Sequence, residues 1–181
     1  MIQVDFDENI VRQARQAMAY APRQVNIAAA KAVNRTLTHV RKEISVEVRQ
    51  HYYVKAATVK ASLTMKRVRS TAMGIGGGVL SEGTPLHLAA FNVRHAKRGP
   101  MSAAVKIGGG KMVPGLFQSR SKGLLKRVAA SRYPLKVPYG PSVPQMVGSP
   151  IVLQIIAADA EAVLNDNFSH EIAYRMEAGM G

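Results

Sequence analysis

An apolar stripe on one long helical segment constrains this chain more than any other feature. From Pro22 to about Tyr52, Val33, Leu37, Val40, Ile44 and Val48 follow at steps of four, three, four and four, between faces of Lys, Arg and Glu. That spacing predicts a helix of about thirty residues, which at ~1.5 Å per residue is a rod of ~45 Å. Pro22 suits its first position, where the N–H that proline lacks would have no intrahelical acceptor. A stripe of this length has to be covered. Two coverings are open: a second copy of the chain, or the chain's own C-terminal helix. For 181 residues the rod is long, which favours the first and makes Val33, Leu37, Val40, Ile44 and Val48 expected subunit-interface residues.

Other helical signals flank it. Ile10, Val11, Ala14, Ala17 and Met18 repeat with helical spacing over Glu8 to Tyr20, and Val54 to Leu63 reads as a short helix. Beyond Pro150 a final helix is expected to about Glu177, with Val152, Ile155, Ile156, Ala160, Val163, Leu164, Phe168, Ile172 and Met176 on one broad face. The middle differs in kind. Residues 64–69 alternate, while residues 73–80, 103–107 and 124–128 are short apolar runs bounded or interrupted by Gly, the pattern of a small antiparallel sheet. Residues 95–100 and 108–111 read as exposed loops, and Pro134, Pro138, Pro141, Pro144 and Pro150 exclude regular helix or central strand, predicting an extended connector. The expected fold class is α+β: N-terminal helices over residues 1–63, a small antiparallel sheet with long basic loops and a Pro-rich connector over 64–150, and a C-terminal helix over 151–181 packed on the sheet and closing the same domain.

The charge is distributed unevenly. Residues 1–47 hold seven Lys and Arg against five Asp and Glu, residues 48–158 hold seventeen against one, Glu82, and residues 159–181 hold one against five. A segment with a single carboxylate cannot neutralise itself by local ion pairs, so solvent, the acidic C-terminal tail or a partner must meet its charge. The apolar runs fall short of the ~18–20 residues that cross a bilayer, so no membrane partner is expected. The acidic start Asp5, Asp7, Glu8 is the reverse of a secretory leader. Without Cys there is no disulfide framework and no thiolate metal site.

Catalytic patterns fail at defined positions. Gly108-Gly-Gly-Lys111 ends like a phosphate-binding loop, but Val105 stands where its first Gly is needed and Met112 where Ser or Thr would hold the cation. Gly140-Pro-Ser142-Val-Pro144 imitates a nucleophile elbow until Pro replaces the final Gly, leaving Ser142 as a turn residue or helix cap. Residues 83–158 contain no carboxylate to ligate a hard cation, and His39, His51, His87, His95 and His170 lack zinc spacing. No catalysis, cofactor or metal is expected. Nonspecific nucleic-acid binding is the competing reading of the basic middle; no zinc-finger, helix-turn-helix or aromatic RNA-binding pattern supports sequence-specific contact.

Val113-Pro114-Gly115-Leu-Phe117, then Gly123 with Lys126-Arg127, then Ser131-Arg132-Tyr133-Pro134-Leu135, then Tyr139-Gly140-Pro141-Ser142-Val143-Pro144 resembles the prophage minor tail protein Z family, the tail-completion proteins of long-tailed phages. Thr84-Pro85-Leu86-His87-Leu88 leading to Phe91, and Ala32-Val33-Asn34-Arg35, are similar to upstream family segments; Leu116 and Leu124-Leu125 depart from its pattern. The resemblance implies a structural protein acting late in tail assembly at the head-proximal end, in the host cytoplasm and then in the virion. It implies partners among tail and neck proteins and copies of itself in a ring, with a hexamer as the expected size, and leaves room for transient contact with passing genomic DNA. Pro114, Gly115, Phe117, Arg127, Arg132, Tyr133, Pro134, Gly140, Pro141 and Ser142 are then structural motif residues, with Phe117 and Tyr133 as buried anchors. Arg94, Lys97, Arg98, Lys106, Lys111, Arg120 and Lys122 are expected to form basic loops facing acidic partners, solvated loops being the plainer alternative.

Overall fold

The computed structural model describes residues 2–4, 22–68, 77–94, 101–119 and 123–179. The helix expected over Glu8 to Tyr20 lies outside them, as do Lys97, Arg98, Arg120 and Lys122. The chain divides into two compact units, each assembled from separate stretches: Met1–Ile44, Leu63–Ser81 and Pro150–Gly181 in the first, Ser45–Ser62 and Glu82–Ser149 in the second. The fold is α+β, with a long helix toward each end and antiparallel strands, most of them between the two.

Helix α1 spans Pro22–His51, as its stripe predicts, with the turns up to Ile44 in the first unit and the remainder in the second. In the first unit, β1 (Ile2–Val4), β2 (Leu63–Lys66) and β3 (Gly77–Ser81) form an antiparallel sheet in the order β1-β3-β2, with Ile2 and Met65 both opposite Val79. This sheet lies directly on α1: a Cβ on Gly77 would stand 2.8 Å from both Leu37 Cδ1 and Val33 Cγ1. Asn34 ties the chain leaving β2 to the helix, its Nδ2 donating to the Val68 carbonyl at 2.9 Å and its Oδ1 accepting from the Val68 N–H at 2.9 Å.

The C-terminal helix, α4 (Pro150–Gly179), packs against α1 and reaches β1 of the sheet. Its buried stripe, Val152, Ile156, Ala160, Leu164 and Phe168, advances in steps of four. Polar ties run antiparallel along the two helices. His39 Nε2 meets Asp159 Oδ2 at 2.8 Å, Asn167 Nδ2 donates to the buried Thr36 Oγ1 at 3.0 Å, and the buried Glu171 carboxylate lies 3.4 Å from Arg35.

These contacts correct the interface expectation. Val33, Leu37, Val40, Ile44 and Val48 are all 0% exposed in the single chain, so none is available to a second copy. The rod is long, but α4 is as long, at 30 residues each. The C-terminal face is also corrected at two positions: Ile155 and Met176 point to solvent, at 45% and 42% exposure.

In the second unit, α2 (Ala56–Ala61) follows the end of α1. The chain from His51 to Tyr53 pairs with residues 105–107: Tyr52 bridges Lys106, the Tyr53 N–H donates to the Val105 carbonyl and the Ile107 N–H to that of His51, both at 2.9 Å. The expected middle sheet is two sheets here, of order β4-β5-β6 and β7-β8-β9, built from β4 (Asn92–Arg94), β5 (Ser102–Ala104), β6 (Gly110–Met112), β7 (Leu116–Ser119), β8 (Gly123–Arg127) and β9 (Leu135–Lys136). Runs of two to five residues are too short for alternation to declare all of them. Arg94 and Lys111 therefore lie in strands rather than loops, and on opposite faces: Arg94 shares a face with Ser102 and Met112, Lys111 with Ala103.

The Pro-rich segment is likewise only in part an extended connector. His87 bridges Tyr139, with Leu88 N–H donating to Pro138 O and Gly140 N–H to Leu86 O, so this strap pairs with residues 86–88. It then turns into α3 (Val143–Val147). Proline does not prevent that helix because Pro144 stands in its first turn, where the missing N–H is no loss. Ser142 caps it: its Oγ accepts from the Gln145 N–H, and the Gln145 side chain accepts from the Ser142 N–H, a complete capping box.

Candidate interaction surface on the third sheet

The residues of the family-like motif gather on and around β7-β8-β9. Val113 to Leu116 form a turn in which Leu116 N–H donates to Val113 O at 3.2 Å, with Pro114 second and Gly115 third at φ +73°. That is the residue pattern of a type II turn, whose third position needs positive φ. Gly115 then accepts from the Arg127 N–H at 2.9 Å, and a Cβ there would stand 3.3 Å from the Arg127 carbonyl. The turn delivers β7 into register: Leu116 faces Lys126, Phe117 faces Leu125 and Gln118 faces Leu124.

Burial corrects both proposed anchors. Tyr133 is 65% exposed and Phe117 is half-buried, whereas Leu116, Leu124 and Leu125 are buried. The positions that depart from the family pattern carry the core here, and the aromatic rings stay outside. Both rings are partnered by cations: the Arg127 guanidinium lies 5.4 Å from the Phe117 ring centre and that of Arg132 5.8 Å from Tyr133. Around them Pro114, Pro134 and Tyr139 are exposed, Gly140 and Pro141 half-buried, and Ser142 buried in its capping role.

Two cations that sequence reasoning did not single out matter most. β9 pairs with β8 so that Lys136 stands directly opposite Lys126, and cross-strand partners share a face. Both are exposed. Like charges in that position cost about 0.2–1 kcal/mol, and no carboxylate relieves them: among the described residues Lys126, Arg127, Arg132 and Lys136 are in no ion pair. Only the register, which joins residues ten apart, could have revealed the Lys126 and Lys136 pair. One face of the sheet thus carries Lys126 and Lys136, while Arg127, the next residue, lies over Phe117 on the other face. Arg132 and Tyr133 between β8 and β9, and Val128 and Val137 just beyond the strands, are exposed.

The other basic residues do not converge on it by any contact observed. Lys106 is exposed, its ammonium 5.9 Å from the Tyr52 ring centre. A shallow open cleft of about 430 Å³ nearby is lined by Arg49, Tyr52, Tyr53, Lys55, Phe91 and Ile107, among others. Among the described residues no three His, Cys, Asp or Glu converge as metal ligands would, and no helix is long and apolar enough to cross a membrane. What the third sheet can do is bind: its charge, exposed rings and apolar edges suit a surface that is acidic and partly apolar. No protein-family model, no curated protein and no solved structure matches the chain.

Proposed function

We propose that the chain is a structural protein of a phage tail, completing or connecting the tail at its head-proximal end as a homo-oligomeric ring, with no catalytic role. It would act in the host cytoplasm during assembly and remain in the virion. One observation carries the reading beyond the motif resemblance: among the described residues Lys126, Arg127, Arg132 and Lys136, on and beside one sheet, are in no ion pair, and Lys126 and Lys136 are directly opposed. An arrangement that costs stability in the free chain and is relieved by an acidic neighbour is expected of an assembly surface. The motif residues are the scaffold that presents it, through the Pro114-Gly115 turn, the strap and the Ser142 cap.

The test is complementation of a phage lacking this protein. Wild type should restore joined virions, and Lys126→Ala, Arg127→Ala and Lys136→Ala together should leave heads and tails unjoined while the purified variant stays folded. Normal joining without the protein, together with DNA binding that falls steeply with salt, would replace this reading by the DNA-coating one.

A further inference from the structure

Helix α4 leaves an apolar stripe uncovered on its outer side. Ile151, Ile155, Ala158 and Ala162 follow at steps of four, three and four, one line along a helix. All four are exposed, Ile151 at 60%. The buried stripe begins one residue later, at Val152, so the helix is apolar on two sides. A helix packed on one side only needs no second apolar line, and one left in water marks a contact. Its charge is one-sided as well: Asp159, Glu161, Asp166 and Glu171 precede the first basic residue, Arg175. Asp159 is held by His39 and Glu171 by Arg35, which leaves the exposed Glu161 and Asp166 beside the stripe.

We infer that this face of α4 docks on the β7-β8-β9 sheet of a second copy of the chain, on the face that carries Lys126 and Lys136. Charge complementarity selects the occupant. The α4 face is apolar with acidic flanks, and the third sheet is cationic with exposed apolar side chains and no carboxylate between residues 83 and 158. Two α4 faces pressed together would bring acidic helices side by side, and two third sheets would oppose cations, so each surface rejects its own kind and accepts the other. Such a contact is heterologous: each copy offers one surface to the copy before it and another to the copy after, and the series closes as a ring or continues as a filament. The inference deepens the ring reading above and rests on it only for closure into a ring.

The experiment uses the purified full-length protein without phage components, so it is independent of the joining assay. Sedimentation velocity should show self-association that weakens as salt rises. One variant, Glu161→Lys with Asp166→Lys, reverses the helix; another, Lys126→Glu with Lys136→Glu, reverses the sheet face. Each alone should weaken self-association at least about tenfold while keeping wild-type circular dichroism. Mixed one to one, the two should associate again, because the reversed helix fits the reversed sheet and the two unaltered surfaces still fit each other. Ile151→Ser with Ile155→Ser tests the apolar half without changing charge and should also dissociate the assembly. A monomeric wild type, loss of association with the helix variant but not the sheet variant, or no recovery on mixing would each overturn the assignment. Normal mixing behaviour with no joining defect in phage would leave the contact standing and remove the tail function.

Discussion

The face a residue occupies in a two-residue repeat decides more in the motif region than its chemical type does. Leu116 is 6% exposed and its neighbour Phe117 only half-buried, so truncation should rank them against intuition from size. Leu116→Ala is expected to cost ~2–5 kcal/mol in denaturant unfolding, as for a buried leucine, and Phe117→Ala distinctly less. Gly140 shows the opposite constraint, a position with no space to spare. A Cβ there would lie 2.5 Å from Phe91 Cε2, and Phe91 is buried. Gly140→Ala should therefore cost ~1–3 kcal/mol by overpacking, and an unchanged melting temperature would mean that the ring moves freely. Asn34 is the third such case: a half-buried amide within the segment similar to the family opening whose value lies in two backbone hydrogen bonds to Val68, 34 positions away.

Among the elements, α3 and β9 show how local chemistry and distant pairing divide the work. Helix α3 has only five residues, too few to hold itself together, so its cap carries an unusual share. Ser142→Ala removes one half of the capping box and should cost ~0.5–2 kcal/mol, read as a lower denaturation midpoint. Strand β9 offers a sharper test of the opposed lysines. Lys136→Glu converts a like-charge pair with Lys126 into an opposite-charge one, so the free protein should gain a few tenths of a kcal/mol, up to ~1. Under the tail role proposed above, the same change should impair joining of tail to head. A variant neither more stable nor defective in assembly would show that the pair matters to neither.

At the level of the whole molecule, the coverage of α1 determines what a disruption there does. Because Val40 is 0% exposed within one chain, Val40→Asp buries a charge without a partner, a change expected to cost several kcal/mol. The variant should fail to fold, seen as loss of cooperative thermal unfolding, rather than persist as a folded monomer unable to assemble. A soluble folded monomer would return the stripe to the subunit interface. The acidic end of the sequence reads differently as well: Asp159 and Glu171 hold His39 and Arg35, so within the chain they serve α1, and the exposed Glu161, Asp166 and Glu177 remain for the basic middle of another copy.

Helix α1, its start at Pro22, the extent of α4 and the cap at Ser142 were legible in the sequence because a helix is a local object. Its period, first-turn proline and capping residues all fall within a few positions of one another. The charge imbalance was legible for the same reason, being a sum along the chain. What covers the α1 stripe, how the strands divide among three sheets, which lysines stand opposite each other, and which side of α4 stays in water were decided by tertiary structure alone. Each depends on pairing between residues brought together from a distance, as Leu37 with Gly77 or Thr36 with Asn167. Strands of two to five residues carry too little pattern to fix such pairing, and a helix apolar on two sides supplies no signal for choosing which side is buried.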